Sequence, residues 1–283
     1  MSHSPGNDSL KVMEIKELKE LARQIRVDII NEVASAASGH PGGSLSSVEI
    51  ATLLYFDIMN IPSPDDPDRD RFVLSKGHAS PLLYACLCEK GLFPRDELLT
   101  FRKIGSRLQG HPDMKKVPGV DMTTGSLGLG IGAAVGMALA GKYDKKDYRV
   151  FALLGDGEMQ EGSVWEALMA AAHYKLNNLT VFVDNNNLQI DGRVSDVMSV
   201  YPIEDKLAAF GFETIVVEDG NDIALLRDKV KELLAKPCDG PRAVVARTVK
   251  GKGVSFMEDQ ASWHGTAPNS EQAQEAIKEI MEG

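Results

Sequence analysis

Residues 150–192 read VFALLGDGEMQEGSVWEALMAAAHYKLNNLTVFVDNNNLQIDG, and their order decides the fold. Residues 149–154 form a short apolar run closed by glycine, the pattern of a buried strand. Residues 163–174 keep apolar side chains at helical spacing, and 179–183 form a second buried strand. Strand, helix and strand in succession predict a parallel pair joined by a right-handed crossover. Gly155-Asp156-Gly157 then stands at the carboxyl end of one strand, and Asp184-Asn185-Asn186 at the carboxyl end of the next. Open α/β sheets bind ligands at that edge.

The residue types there suit a metal–diphosphate. Asp156 offers a carboxylate oxygen, an asparagine of the 185–187 run offers an amide oxygen, and a backbone carbonyl near Leu188 offers a third. Three hard oxygens leave positions for phosphate oxygens and water, which is how Mg²⁺ is usually held. Gly155 and Gly157 allow close backbone approach to a phosphate, and the following helix start points N–H groups at it. GDG alone supports no more than a tight turn. GDG with paired asparagines about thirty residues later, both at strand ends, is far more specific.

Outward from this unit the chain continues the α/β pattern. Apolar residues at Ile15, Leu18, Leu21, Ile25, Ile29 and Val33 predict an amphipathic helix, stopped by SGHPGG at 38–43. A helix is expected over 46–59, a proline- and aspartate-rich loop over 61–70, and a strand over 71–74. That strand runs into SKGHAS (75–80) and a helix to Glu89, and a second helical piece is expected over 93–104. TTGSLG (123–128) leads to a helix carrying Gly128, Gly132 and Gly136 on one face. Glycine inside a helix costs about 1 kcal/mol relative to Ala, so close approach of another backbone is the expected reason. Residues 203–210, 223–235 and 270–281 read as helices, and 214–217 and 243–246 as strands. The expected architecture is a Rossmann-like parallel sheet with helices on both faces, in one domain over 13–283 behind a frayed polar segment, 1–12.

Composition narrows the function. The net charge of −10 over 283 residues argues against nucleic acid or an anionic membrane as the main partner. Residues 122–141 carry no charge, but Gly, Ala, Thr and Ser dominate them, so a buried helix rather than a membrane span is expected. Cys86, Cys88 and Cys238 form no metal-ligand set. Low cysteine use and the lack of a signal-peptide core before Asn7 suit the cytoplasm.

GDG followed by about thirty residues and NN resembles the signature of thiamine-diphosphate enzymes, and EMQEGSVWEA at 158–167 resembles its transketolase form. Further words arrive in that family's order: SGHPGGSLS at 38–46, SKGHAS at 75–80, GHP at 110–112, TTGSLGLG at 123–130, KGKGVSFMED at 250–259 and SWHG at 262–265. The resemblance covers about 15–268. It implies thiamine diphosphate and Mg²⁺ (or Ca²⁺ or Mn²⁺), with Asp156, Asn186 and the Leu188 carbonyl on the metal. It places Gly155, Gly157, His78, Gly125, Ser126, Leu127, Glu161, Lys250 and His264 by the cofactor. His40, His111 and His264 are implied to face the substrate. Glu161 and Glu166 are implied to lie toward a neighbouring chain. Without that resemblance, His40 reads as a solvated residue after a helix stop, His78 as part of a helix cap, and Glu161 and Glu166 as solvated carboxylates. His173 has no motif support and reads as structural.

Transketolases resemble a row of three domains, and this chain corresponds to the first. The pyrimidine-binding and C-terminal domains have no counterpart here. The resemblance therefore implies the N-terminal subunit of a two-chain transketolase, active only with a C-terminal partner in an α2β2 heterotetramer. Its reaction is transfer of a two-carbon ketol unit from a ketose, free or phosphorylated, to an aldose. Two rival readings are the α subunit of a 2-oxo-acid dehydrogenase, which should lack the histidine words, and a non-catalytic thiamine-diphosphate-binding protein.

Overall fold

The computed structural model describes residues 13–283; the segment 1–12, expected to fray, lies outside them. Helix α1 (Ile15–Ala36) is followed by α2 (Pro41–Leu45), α3 (Val48–Leu53) and strand β1 (Arg71–Leu74). Then come α4 (Ser80–Glu89), α5 (Leu129–Tyr143), β2 (Val150–Gly155), α6 (Gly162–His173) and β3 (Leu179–Asn185). A small antiparallel hairpin, β4 (Leu188–Gln189) and β5 (Gly192–Arg193), leads to α7 (Val194–Val197) and α8 (Ile203–Ala209). The chain closes with β6 (Glu213–Val217), α9 (Ile223–Ala235), β7 (Arg242–Arg247) and α10 (Ser270–Glu282).

Five strands form one sheet in the order β1-β2-β3-β7-β6, every pair parallel. Both faces are apolar, which is why the strands read as continuous hydrophobic runs. Phe72, Phe151, Leu153, Phe182 and Val244 join the core under α1, α3, α4 and α9. Val73, Ala152, Leu154, Val181 and Val245 join the core under α5, α6 and α8. The period-two alternation of these sets puts helices on both sides, the expected α/β class. Gly155 pairs with Asp184 and Asn185 with Arg247. The carboxyl ends of β2, β3 and β7 therefore lie level at one edge.

Three expectations need correction. The helix expected over 46–59 starts earlier and is broken into α2, α3 and a wide turn at Leu54–Ile58. The break has a local cause: the Ser47 hydroxyl and the Lys76 ammonium donate to the Gly43 carbonyl, in competition with the helical ladder, while the Ser46 hydroxyl turns to Asp184. The helical piece expected over 93–104 shrinks to a tight 3₁₀ turn at Arg95–Thr100, which ends before Arg102 enters the left-handed region at φ 57°. Finally, α5 is not buried all round. Leu129 is 61% exposed, and a side chain at Gly132 or Gly136 would meet nothing within 4 Å. Gly128 does not belong to the helix interior; it caps α5 at φ 81°. The glycine that admits close backbone approach is Gly130, where a Cβ would come within 2.7 Å of the Ser75 Cα.

Candidate active site

A cleft of about 330 Å³ opens at the level carboxyl ends of β2 and β3. Its walls include His40, His78, Gly125, Leu127, Gly155, Asp156, Gly157, Glu161, Asn186, Leu188, Lys250 and His264. A larger hollow of about 500 Å³ lies between α1, α10 and the loop at 219–223. It contains no histidine and none of the strand-end glycines, so the smaller cleft is the chemically equipped one.

Two turns build the floor. After β2, Asp156 is 2% exposed; its Oδ1 accepts the Gly157 N–H at 2.8 Å and its Oδ2 accepts the Asn187 N–H at 2.5 Å. Burial, reinforced by the charge of Asp184, raises its pKa to about 6 against these donors. After β3, Asn186 donates its amide N–H to Asp184 Oδ2 at 2.9 Å, which turns its Oδ1 the other way, where it accepts the Leu188 N–H at 3.0 Å. The Leu188 carbonyl accepts the Lys250 ammonium at 2.9 Å.

These residues suit a hard cation. Asp156 is a buried carboxylate with no Lys or Arg bonded to it among the described residues, and the Leu188 carbonyl already receives a positively charged donor. Among the described residues no three His, Cys, Asp or Glu side chains cluster as a metal cage. A centre here would draw on one carboxylate, one amide and one carbonyl oxygen, a set that phosphate oxygens and water would complete.

Histidines form the opposite wall. The rings of His40, His78 and His264 lie 5.2–5.4 Å apart in all three pairings. Burial and Arg102 push the His40 pKa down to about 4, and burial and Lys250 push His264 down to about 3. Burial, with Lys76 nearby, also lowers His78 far below its ordinary value. All three are thus neutral at pH 7. Lys250 lies 2.7 Å from His264 Nδ1 and, as an ammonium, donates to it. That contact leaves the proton of the neutral ring on Nε2.

Beneath the cleft runs a buried ionic network. Asp184 pairs with Lys76 at 2.5 Å and accepts hydroxyl hydrogen bonds from Ser46 and Thr248. Glu158 ties three segments together, accepting the Ser75 hydroxyl, the Gly128 N–H and the Gly155 N–H.

The remaining expected residues are placed less centrally. His111 and Ser126 are exposed and lie outside the cleft walls. The His111 ring lies against Gly125, where a Cβ would meet it at 3.0 Å. Glu166 is exposed on α6 away from the cleft. His173 touches the ring of Tyr174 and likewise stands apart. Sequence reading passed over Lys76, Glu158, Asp184 and Tyr201 as functional residues. Lys76, Glu158 and Asp184 each sit inside or beside a quoted motif, which was the available signal; Tyr201 had none.

Comparison with known proteins places this architecture. The family described as the thiamine diphosphate binding domain of transketolase matches residues 17–281. An apulose-4-phosphate transketolase subunit from Phocaeicola vulgatus is 41% identical over 274 residues, covering 95% of this chain and 96% of that protein. Human transketolase is 43% identical over 283 residues, covering 98% of this chain but 43% of that protein. The solved transketolase from Leishmania mexicana superposes with a TM-score of 0.88 at 34% identity, covering 95% of this chain and 42% of that one. The chain thus spans nearly all of the Phocaeicola protein and less than half of the longer transketolases. It belongs to the transketolase family, as a member of its thiamine-diphosphate-binding domain.

Proposed function

We propose that this chain is the diphosphate-gripping subunit of a two-chain transketolase. The observation that carries the reading is its end-to-end match to a protein named as one subunit of a transketolase, together with a cleft that joins a hard-oxygen floor to a wall of neutral histidines. The match favours transketolase over the 2-oxo-acid dehydrogenase reading. The relative's name, apulose-4-phosphate transketolase, suggests a phosphorylated ketose as donor for this chain too.

Asp156 Oδ1, Asn186 Oδ1 and the Leu188 carbonyl would hold Mg²⁺. Gly155, Gly157 and the Gly125–Leu127 loop would admit the diphosphate, and Lys250 would set a positive charge against it. Bound thiamine diphosphate would supply the electron sink for breaking and remaking a carbon–carbon bond. The chain's own part is to orient and to move protons. His264 Nε2–H and His40 are neutral imidazoles, suited to donate to or accept from sugar hydroxyls without placing a second cation beside the cofactor ring. His78 would donate toward the diphosphate, and His111, at the rim, would meet the far end of the sugar.

The chain spans less than half of the longer transketolases it matches, which supports a second chain for the pyrimidine side of the cofactor. A C-terminal partner would provide it, in an assembly of two copies of each chain in the cytoplasm. The exposed face of α5, with Leu129, Gly132 and Gly136, and the exposed Glu161 and Glu166 suit a contact between subunits. The test of the site is binding. Asp156→Ala and Asn186→Ala should each abolish Mg²⁺-dependent binding of thiamine diphosphate to the assembled complex while leaving its melting curve cooperative. Unchanged affinity in both variants would refute the metal assignment.

A further inference from the structure

His40 lines the cleft, but one of its ring nitrogens faces a residue outside the cleft walls. The Arg102 Nη2 group stands 3.4 Å from His40 Nδ1. A guanidinium is always cationic and can only donate, so Nδ1 of the neutral ring must accept. The ring proton then sits on Nε2, which no described residue holds by a hydrogen bond. Lys250 imposes the same arrangement on His264 through its own contact with Nδ1.

Several features hold Arg102 in place. Its backbone turns at φ 57°, and its N–H donates to the Leu108 carbonyl at 2.8 Å. Its Nη1 donates to the Ser38 hydroxyl at 2.8 Å, on the same turn that carries His40. Gly110, the glycine of the GHP word, makes room for the guanidinium: a Cβ there would come within 2.6–2.8 Å of Arg102 Nε, Nη2 and Cζ. The φ of Gly110 is not left-handed. What this position requires is the missing side chain, not the backbone freedom of glycine.

We propose that Arg102 is a positioning residue for His40: it fixes the ring as the Nε2–H tautomer, so that His40 offers the cleft a donor and not an acceptor. This rests on the proposed site role of His40 and deepens it. A ring held in this way suits an oxygen with a lone pair to offer, a carbonyl or an alkoxide, and does not suit a hydroxyl that must give up its proton. Burial and the charges of Arg102, His111 and Lys250 keep the ring neutral, as a fixed tautomer needs. Without a donor on Nδ1, a neutral imidazole divides its proton between the two nitrogens.

The experiment is long-range proton–nitrogen correlation on the full chain, labelled with ¹⁵N-histidine, at pH 7 without cofactor or substrate. His40→Gln assigns the His40 signals, and melting temperatures check that each variant folds as the parent does. In the parent, His40 should show a protonated Nε2 and a bare Nδ1. Arg102→Met removes the donor and should give Nδ1 a measurable share of the proton, shifting the two nitrogen signals toward each other. Gly110→Ala keeps the arginine but pushes its guanidinium aside, and should shift them in the same direction. A parent ring protonated on Nδ1, or charged at pH 7, would overturn the proposal. So would His40 signals in both variants that match the parent's. The measurement is independent of ketol transfer: an assembled enzyme without transfer activity would refute the functional reading whichever tautomer is found.

Discussion

Asp184 and Glu32 are both wholly shielded from solvent, yet the fold treats them in opposite ways. Burial pushes the Asp184 carboxyl up, but Lys76 and hydrogen bonds from Lys76, Ser46 and Thr248 outweigh it and hold the pKa below the ordinary value. Glu32, on α1, has no partner for either oxygen. Burial, with the charge of Asp28 one helical turn away, raises it well above the usual range. Depth is the same in the two cases; the partners decide which protonation state survives. Charge is retained under the cleft, where it orients the Asn186 amide. In the packing between α1 and α4 the acid is kept neutral and acts as filler.

The largest effect should come from breaking the paired region. Asp184→Ala leaves the Lys76 ammonium buried without its counter-ion, and loss of one partner of a buried pair costs about 3–5 kcal/mol. Urea denaturation of the cofactor-free chain should register that loss. A loss below about 1 kcal/mol would mean that water reaches Lys76. A reversed, smaller effect is expected at the unpaired acid. Glu32→Met removes two buried oxygens without partners, each kind costing about 1–3 kcal/mol. It should raise stability at pH 8 by an amount in that range.

The two regions also titrate with opposite sign. The raised Asp28, at about 6, and Glu32 contribute stability that is fully present below their unfolded pKa values, near 4, and is lost as pH rises through the folded values. The depressed His40, at about 4, and His264, at about 3, contribute stability that is present above about 6.5 and lost as pH falls toward those values. Melting temperature against pH should therefore fall on both sides of a maximum, and Glu32→Met should lift the alkaline side more than the acid side. An equal lift on both sides would show that Glu32 titrates alike in the folded and unfolded chain.

The smallest expected change in stability accompanies a large one in chemistry. His264→Ala should alter unfolding free energy by no more than about 0.5–1 kcal/mol, since its ring is only partly buried. Ketol transfer by the assembled enzyme should fall by about 10²-fold or more, the usual contribution of a proton-moving group. Near-normal transfer would make His264 structural.

Much of this was legible in the sequence because it rests on local pattern. The GDG turn, the asparagine run and the uncharged strands announced a parallel sheet and its ligand edge. The histidine words marked His40, His78 and His264 as candidates, and these three residues lie together although 224 positions separate the first from the last. What stayed hidden depends on pairing across the fold. Lys76 meets Asp184 across 108 positions, and Glu158 meets Ser75 across 83. No periodicity encodes such partners. The break between α2 and α3 was hidden for the same reason, because Ser47 and Lys76 converge on a single carbonyl. Tyr201 follows an exposed stretch and precedes a proline, so it reads as a turn residue until the fold brings it to Asp156.

That this chain holds half of an active site is tested most directly by ketol transfer. The donor is a phosphorylated ketose, with Mg²⁺ and thiamine diphosphate present, and the enzyme is the purified chain alone or the chain co-expressed with a C-terminal partner. Light scattering on the same samples reports their mass. The expected result is no transfer by the chain alone, and full transfer by a complex whose mass corresponds to two copies of each chain. Full activity from the purified chain, with no second polypeptide present, would contradict it.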